Sequence, residues 1–165
     1  MQPQPSNHPG APGPPIRTAQ TSDLDELVRL EQACFGADAW SRQVLLEETT
    51  GANRAYFVID GAKGRLVGAG GIALGKDFAE VMTVEVDPMA QGQGLGRALM
   101  DRLIDTATQA GLGRVLLEVA EHNDAAVGLY VSMGFDVIGW RKGYYQPSNQ
   151  NALVMELKPA PRSGH

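Results

Sequence analysis

Hydrophobic residues along the chain follow two spacings that alternate from one segment to the next. Apolar positions three to four residues apart predict amphipathic helices, at residues 24–33, 41–49, 95–110 and 124–133. Short runs rich in β-branched and aromatic residues, bounded by glycine or polar turns, predict strands. These runs are residues 16–19, 56–59, 66–73, 81–86, 115–119, 135–139 and 153–157. Helices interleaved with strands indicate an α/β domain whose mixed sheet carries helices on both faces.

Polar residues and glycines mark where several of these elements begin, turn or end. Ser22, with Asp25 three residues later, predicts a capped start for the first helix. Ser41 predicts the same for the second helix. Residues 60–64 predict a hairpin turn, and Gly134 predicts the end of the last helix. The two strands flanking that hairpin are therefore expected to pair in antiparallel fashion.

A glycine-rich segment, called the glycine loop below, joins a strand to the third helix: Gln91, Gly92, Gln93, Gly94, Leu95, Gly96 and Arg97. Its three glycines allow the backbone to come close to a ligand. The first turn of the following helix offers unpaired N–H groups and a partial positive charge, which together favour phosphate. The glycine loop is therefore predicted to bind an anionic group.

The glycine loop departs from two known phosphate-binding patterns. A P-loop requires a lysine in the loop, and the lysines of this chain lie elsewhere, so a P-loop is excluded. A dinucleotide fingerprint would use Glu118 to bind a ribose hydroxyl. Its third glycine is missing, however, and the loop follows the fourth predicted strand instead of the first. The dinucleotide site stays open as an alternative.

The pair Asp87-Pro88 followed by Gln-x-x-Gly-x-Gly resembles the acetyl-CoA loop of the GNAT superfamily of N-acetyltransferases. Other motifs resemble its bacterial RimI subfamily, which acetylates the α-amines of protein N-termini. These motifs are Cys34-Phe35 with Trp40-Ser41, Leu117-Glu118-Val119, Asn123 with Ala126 and Leu129-Tyr130, Gly134-Phe135, Arg141 with Tyr144-Tyr145, and Ala152-Leu153-Val154-Met155. The resemblance covers residues 16–157. The chain departs from the subfamily pattern on the amine side, at Ala39, Ala120, His122 and Asn151.

The resemblance implies a fold, an acetyl donor and an acceptor. The implied GNAT fold is a mostly antiparallel sheet of six to seven strands with about four helices on both faces. The donor is acetyl-CoA, which the resemblance places against the glycine loop and four further residues: Val84, Glu85, Val86 and Asn123. Backbone groups of residues 84–86 would also stabilise the oxyanion of the reaction. The implied acceptor is a protein N-terminus, that of ribosomal protein bS18, whose first residue is alanine.

Glu118 is the candidate base. An N-terminal amine has a reference pKa near 8, so about a tenth of it is free at neutral pH and a modest base suffices. The resemblance places this base at the glutamate of Leu-Glu-Val, which is Glu118; a surface ion pair is the alternative role. Glu80 is the rival, because lysine acetyltransferases of the superfamily carry a glutamate at a comparable position. We expect Glu118 to be the principal base and Glu80, otherwise a solvated carboxylate, at most to assist.

Tyr130 is the candidate acid, because a phenol can protonate the departing thiolate. Its position resembles the proton donor of the family, and packing on the apolar helix face is the alternative. Asn123 either contacts pantetheine or simply caps the following helix. Arg97 either binds phosphate or faces solvent. Three aromatic residues resemble the wall of the peptide-binding side, with core packing as the alternative: Trp40, Tyr144 and Tyr145.

Length and composition suit one enzyme domain. With 165 residues, 43% of them hydrophobic, the chain can build a single core. Residues 15–158 are predicted to form the domain, residues 1–14 a proline-rich disordered tail, and residues 159–165 a flexible tail. The single cysteine, Cys34, excludes an internal disulfide, and three scattered histidines give no metal-ligand spacing, so no metal is predicted.

Charge and hydropathy narrow the partners. No apolar stretch is long enough to cross a membrane, and the N-terminus lacks the pattern of a signal peptide. We therefore expect a cytoplasmic protein without a membrane partner. A net charge of −5 disfavours nucleic acid as a partner and is compatible with a cationic amine substrate. The expected state is a monomer or weak dimer.

Three functional classes follow from the sequence. The first is an acetyltransferase for protein N-terminal α-amines. The second is an acetyltransferase for lysine or a small-molecule amine. The third is a non-catalytic acyl-CoA-binding sensor, which would keep the glycine loop but would not need both Glu118 and Tyr130. The presence of both residues favours an enzyme.

Overall fold

The computed structural model describes residues 14–159. Its strands are β1 (Ile16–Thr18), β2 (Arg54–Asp60), β3 (Leu66–Leu74), β4 (Ala79–Val86), β5 (Val115–Ala120), β6 (Asp136–Tyr145) and β7 (Gln150–Leu157). Its α-helices are α1 (Leu24–Phe35), α2 (Arg42–Thr50), α3 (Leu95–Gln109) and α4 (Asp124–Ser132). The two predicted tails lie outside the described residues, apart from Pro14 and Pro159.

All seven of these strands form one sheet in the order β1-β2-β3-β4-β5-β7-β6. Every neighbouring pair is antiparallel except β4 and β5, which are parallel. A parallel pair needs a crossover, and α3 provides it. The predicted fold class, a mixed and mostly antiparallel sheet with helices on both faces, is confirmed.

Each face of the sheet packs against its own pair of helices, because strand side chains alternate between faces. Along β2, Tyr56 and Val58 join the core cluster formed with α1 and α2. Phe57 and Ile59 join the larger cluster that includes α3 and Tyr130 of α4. The sheet is therefore buried on both sides, which explains the nearly continuous apolar run that predicted β2.

Strands β4 and β5 part after a short stretch of pairing. The pairs are Ala79 with Val115, Glu80 with Leu116, and Val81 with Leu117. Both strands continue beyond the last pair, β4 to Val86 and β5 to Ala120. Because the backbones separate there, an opening forms between two strands in the middle of the sheet.

A β-bulge at Met82 changes the direction of the β4 side chains. Gly71 of β3 pairs with Thr83, whereas the next residue, Ile72, pairs with Val81, so Met82 is an extra residue. Val81 packs in the α3 cluster. Beyond the bulge, Thr83 and Glu85 instead turn towards α1, although simple alternation would place all three residues on one face.

Helix α1 begins at Leu24 as expected, but the predicted cap by Ser22 is wrong. A short 3-10 turn, Thr21–Asp23, precedes the helix, and Ser22 lies inside it. Gln20 donates its backbone N–H to Asp23 Oδ2 at 2.7 Å. The predicted cap of α2 is confirmed, since Ser41 Oγ accepts from the backbone N–H of Val44 at 3.2 Å. The error arose because Ser22 and Asp23 are adjacent polar residues, and the sequence pattern does not show which of them directly precedes the helix.

Candidate active site

A cleft of about 650 Å³ opens where β4 and β5 part. It is lined by residues 81–84 of β4 and residues 117–120 of β5, together with residues of α1, α4 and the β6–β7 connection. Seven of the predicted site residues line it: Trp40, Val84, Glu118, Asn123, Tyr130, Tyr144 and Tyr145. Residues that are far apart in the sequence thus meet around one opening.

Glu118 and Tyr130 approach this cleft from opposite faces of the sheet. Leu117 and Val119 pack in the α3 cluster together with Tyr130. Glu118 lies between them on β5, so its side chain points to the other face, towards α1 and α2. The cleft connects the two faces because no backbone ladder closes it there. A substrate group that passes through the opening would contact the Glu118 carboxylate on one face of the sheet and the Tyr130 phenol on the other.

The carboxylate of Glu118 is held by residues of β6. Tyr144 Oη donates to Glu118 Oε1 at 3.4 Å, and Arg141 Nη1 lies 3.5 Å from Glu118 Oε2. The Arg141 guanidinium also stacks on the Tyr144 ring, 4.5 Å from its centroid. Only 12% of the Glu118 side chain is exposed. The carboxylate is therefore oriented while still reaching the cleft.

Glu80 lies beside Glu118 on the same face of the sheet. Burial and the neighbouring carboxyl of Glu118 raise the pKa of Glu80 to about 7, although Arg141 and Arg54 partly offset the rise. Among residues 14–159, Glu118 lines the cleft and Glu80 does not. The Glu80 carboxyl therefore holds its proton up to about neutral pH, beside the candidate base.

Tyr130 is 7% exposed and packs its ring against Phe135, with the ring centroids 5.9 Å apart. Burial raises the pKa of its phenol to about 12. The hydroxyl therefore keeps its proton throughout the working pH range. The packing role and the acidic role that the sequence left as alternatives are compatible in this geometry.

The glycine loop has the backbone conformation expected of a close-approach site. Gly92 and Gly94 have φ values of +83° and +80°, in the region that disfavours side chains. The first backbone bond across the start of α3 runs from the Ala98 N–H to the Gly94 carbonyl. The N–H groups of residues 95–97 thus have no partner within the helix.

Side chains of the loop fix its ends. Gln91 Nε2 donates to the Val86 carbonyl at 3.3 Å, which ties the loop to the end of β4. Arg97 Nη2 donates to Ser132 Oγ at 2.9 Å and is exposed. Residues 91–97 do not line the cleft, nor do the side chains of Glu85 and Val86. The loop is instead a separate surface at the carboxyl end of β4.

Asn123 caps α4, as the sequence offered among its alternatives. Its Oδ1 accepts from the backbone N–H of Ala126 at 3.2 Å. Capping uses only the carbonyl oxygen of the side-chain amide. Asn123 also lines the cleft, and the cap does not use its Nδ2 group.

Two surface segments enclose the α1 side of the cleft. The linker between α1 and α2 contributes Asp38 and Trp40. The second segment contributes Gln146 of the β6–β7 connection and Gln150, the first residue of β7. Asp38 joins the two segments: its carboxylate accepts from the backbone N–H of Ser148 at 2.9 Å and from the Ser148 hydroxyl. Tyr144 and Tyr145 stack edge to face, 4.9 Å apart, at the same end.

Sequence reasoning missed several residues of the cleft, among them Glu31, Asp38 and Thr83. Glu31 did leave a signal. It follows Leu24 and Leu27 at helical spacing, so it lies on the apolar stripe of α1, where a carboxylate is unexpected. Asp38 and Thr83 left none, because the linker has no periodicity and threonine is ordinary in a strand.

Two negative findings apply to residues 14–159. No group of three or more histidine, cysteine or acidic side chains there could hold a metal ion. Over the same range, no helix has the length and hydropathy that a membrane span requires.

Comparison with known proteins gives consistent matches. Residues 24–135 match the profile of the acetyltransferase (GNAT) family. The chain is 39% identical over 141 residues to the N-alpha-acetyltransferase RimI of Mycobacterium tuberculosis, covering 81% of this chain and 85% of that protein. It is 32% identical over 147 residues to the ribosomal protein bS18-alanine N-acetyltransferase of Escherichia coli K12, covering 86% and 95%.

A solved structure shows the same architecture. The crystal structure of the ribosomal-protein-S18-alanine N-acetyltransferase from Escherichia coli superposes with a TM-score of 0.78 at 29% identity. The match covers 92% of this chain and 98% of that one. The likeness therefore extends over nearly the whole of both chains.

Proposed function

The chain belongs to the acetyltransferase (GNAT) family of acetyl-CoA-dependent N-acetyltransferases, and on that premise we propose that it acetylates the α-amine of a protein N-terminus. The acceptor we propose is the N-terminal alanine of ribosomal protein bS18, the protein named in the similar Escherichia coli enzyme. One observation carries the proposal: Glu118 and Tyr130 face a single cleft from opposite sides of the sheet.

This geometry separates the two proton transfers of an acyl transfer. The amine approaches from the α1 face, where Glu118 takes its proton, directly or through water. The Glu80 carboxyl assists by competing with Glu118 for one proton, which keeps the pair basic enough to act near neutral pH. The thioester lies in the opening between β4 and β5, and backbone groups of residues 84–86 stabilise the oxyanion.

Tyr130 acts on the opposite face, where the thiolate departs. A phenol with a pKa of about 12 holds its proton more tightly than a thiol, whose reference pKa is about 8.5, so complete early transfer is unfavourable. Tyr130 therefore donates a hydrogen bond to sulfur as the C–S bond breaks, and it stabilises the departing thiolate without having to lose its own proton. A permanently protonated phenol is suited to this role.

The coenzyme side is proposed to consist of the glycine loop and β4. The unpaired N–H groups of residues 95–97 and the positive end of the α3 dipole bind the diphosphate. Arg97 adds charge by turning from Ser132. Asn123 Nδ2 donates to pantetheine while its oxygen caps α4. The aromatic residues Trp40, Tyr144 and Tyr145 enclose the acceptor peptide.

The test is a comparison of acceptors. Purified protein is incubated with acetyl-CoA and peptides beginning with alanine, including the bS18 N-terminus, and with the same peptides blocked at the N-terminus and carrying a lysine. Acetylation of the free N-terminal peptides is expected. Turnover of only the blocked lysine peptides would replace the proposal with lysine acetylation. Binding of acetyl-CoA without turnover of any amine would indicate a sensor.

Replacing Tyr130 by phenylalanine is expected to lower kcat by about 10²-fold, a typical cost of losing a general acid. The ring keeps its packing against Phe135, so the thermal midpoint should change little. Steady-state kinetics with an alanine peptide, together with a melting curve, measure both quantities. An unchanged kcat would leave Tyr130 with a packing role alone.

A further inference from the structure

Four polar side chains are buried between α1 and the sheet, and two of them, Glu31 and Thr83, also line the cleft. They are Glu31, Tyr56, Thr83 and Glu85, called the buried polar cluster below. Glu31 and Tyr56 are each 2% exposed, and Glu85 is 3% exposed. Within the described part of the chain, Glu31 Oε2, Glu85 Oε1 and Tyr56 Oη are buried without a hydrogen-bond partner. Buried polar atoms are rarely left unpaired, so the cluster requires an explanation.

The fold brings these side chains together through two local features. The bulge at Met82 turns Thr83 and Glu85 towards α1. Gly71 lies between Tyr56 and Thr83 in the strand register, and it has no side chain. A Cβ at Gly71 would lie 2.6 Å and 2.9 Å from two carbons of the Tyr56 ring. The tyrosine therefore lies across the glycine and directs its hydroxyl towards β4.

Two carboxyl groups this deeply buried cannot both be ionised without a large cost in free energy. Each of the two groups has one buried carboxyl oxygen without a hydrogen-bond partner, Glu31 Oε2 and Glu85 Oε1, and a bond between two carboxyls needs one proton. Burial and Glu31 raise the pKa of Glu85 well above its usual range. A proton held on Glu85 and donated to Glu31 gives the otherwise unpaired carboxyl oxygens a partner.

The pair links the two sides of the cleft. Glu31 Oε1 accepts from the backbone N–H of Trp40 at 2.9 Å. Glu85 belongs to β4, the strand that leads to the glycine loop, and Glu85 Oε2 accepts from Thr83 Oγ1 at 3.3 Å. Trp40 lies in the linker that encloses the acceptor end of the cleft. With one proton between Glu85 and Glu31, a chain of hydrogen bonds would run from β4 through α1 to the backbone of Trp40.

We propose that Glu31 and Glu85 share one proton and act as positioning residues, which hold Trp40 and the α1–α2 linker against the acceptor end of the cleft. The proposal rests on the proposed function for its kinetic consequence only. Loss of the shared proton leaves two facing carboxylates, which repel one another and release the bond from Glu31 to Trp40. The titratable groups that interact with the pair are Cys34 on α1 and Tyr56 on β2, and neither carries positive charge.

A fluorescence measurement tests the positioning without any substrate. The chain has two tryptophans, so a Trp140→Phe background reports on Trp40 alone. Raising the pH from mildly acidic to alkaline values is expected to shift the Trp40 emission as the linker loosens. Glu85→Gln in the same background should abolish the shift, because an amide donates to Glu31 at every pH. A shift that persists unchanged in Glu85→Gln would overturn the proposal.

Kinetics then locate the effect at the acceptor. Glu85→Leu is expected to raise the KM for an alanine peptide about tenfold, as for the loss of a bond to a charged group, and to change the KM for acetyl-CoA far less. The ratio of acceptor KM values between wild type and Glu85→Gln should grow as the pH rises. Both proteins contain the Glu80–Glu118 pair and are assayed with the same acceptor peptide. The effects of pH on that pair and on the acceptor amine therefore cancel in the ratio.

Glu48→Gln is the matched control. Glu48 is 9% exposed and pairs with Arg54, but it does not line the cleft. An equal rise in acceptor KM in Glu48→Gln would assign the effect to general destabilisation and overturn the proposal. A ratio of acceptor KM values between wild type and Glu85→Gln that does not change with pH would also overturn it. If Glu85→Leu does not fold, the Glu85→Gln ratio and the fluorescence still decide. A wild type that acetylates no N-terminal peptide would refute the proposed function, while the Trp40 emission would still test the positioning.

Discussion

Glu118→Gln is expected to lower kcat by about 10²- to 10⁴-fold, the range typical of a lost general base. Glutamine keeps the size of the side chain and can still accept from Tyr144, so the cleft should keep its shape. The measurement is steady-state kinetics with acetyl-CoA and an alanine peptide. Acetyl-CoA affinity, measured separately, should be unchanged, because Glu118 lies on the opposite face from the proposed coenzyme contacts.

Glu80→Gln distinguishes the two carboxyls. The pKa of Glu80 is about 7 because burial and Glu118 raise it, so the activity of the wild type should rise with pH through that region. Removing one carboxyl removes the competition for the proton, and the rise should move to lower pH while kcat stays high. Should Glu80→Gln flatten the rise while Glu118→Gln preserves it, Glu80 would be the base instead.

Gly94→Ala is expected to weaken acetyl-CoA binding by about 100-fold, since each bond to a charged phosphate contributes about 1.5–3 kcal/mol. Gly94 has a φ of +80°, and a side chain there favours rotation of the peptide groups away from the conformation that presents the loop N–H groups. Isothermal titration with acetyl-CoA measures the affinity. The effect should appear in Kd more than in kcat at saturating acetyl-CoA.

The chain contains a matched control for this change. Gly111, after α3, has a φ of +81°, and as at Gly94 no atom lies within 4 Å of a Cβ built there. Gly111→Ala should therefore destabilise the fold to a similar degree, while leaving acetyl-CoA affinity unaltered. Equal losses of affinity in both variants would show that backbone strain, and not the glycine loop itself, causes the effect.

Most of the fold could be predicted because local patterns and tertiary packing agree. The continuous apolar run of β2 matches its burial on both faces, and the helical stripe of α3 matches the face that is buried. Errors came where the pattern is ambiguous, as with adjacent capping residues before α1. The exposed strand β6 extends to Tyr145, well beyond the predicted residues 135–139, because pairing with β7 maintains a strand that its own sequence signals weakly.

The family is confirmed by comparison, and it was visible in the sequence because the motifs around Glu118, Tyr130 and the glycine loop are local. Their roles remain proposals. The periodicity of the sequence could not predict which of these residues line the same cleft. The separation of Glu118 and Tyr130 onto opposite faces depends on where β4 and β5 cease to pair, and pairing is a property of two strands together.

The order of helices and strands, the two buried faces and the position of the glycine loop were determined by the sequence alone, because each depends on the spacing of nearby residues. The tertiary structure alone decided the carboxyl pairs. Alternation would put Val81 and Glu85 on one face, yet the bulge at Met82 turns Glu85 to Glu31 on α1. A bulge is defined by the pairing of a strand with its neighbour, so it depends on two distant segments of the chain. A local sequence pattern therefore cannot predict the contact between Glu31 and Glu85, or the proton sharing that follows from it.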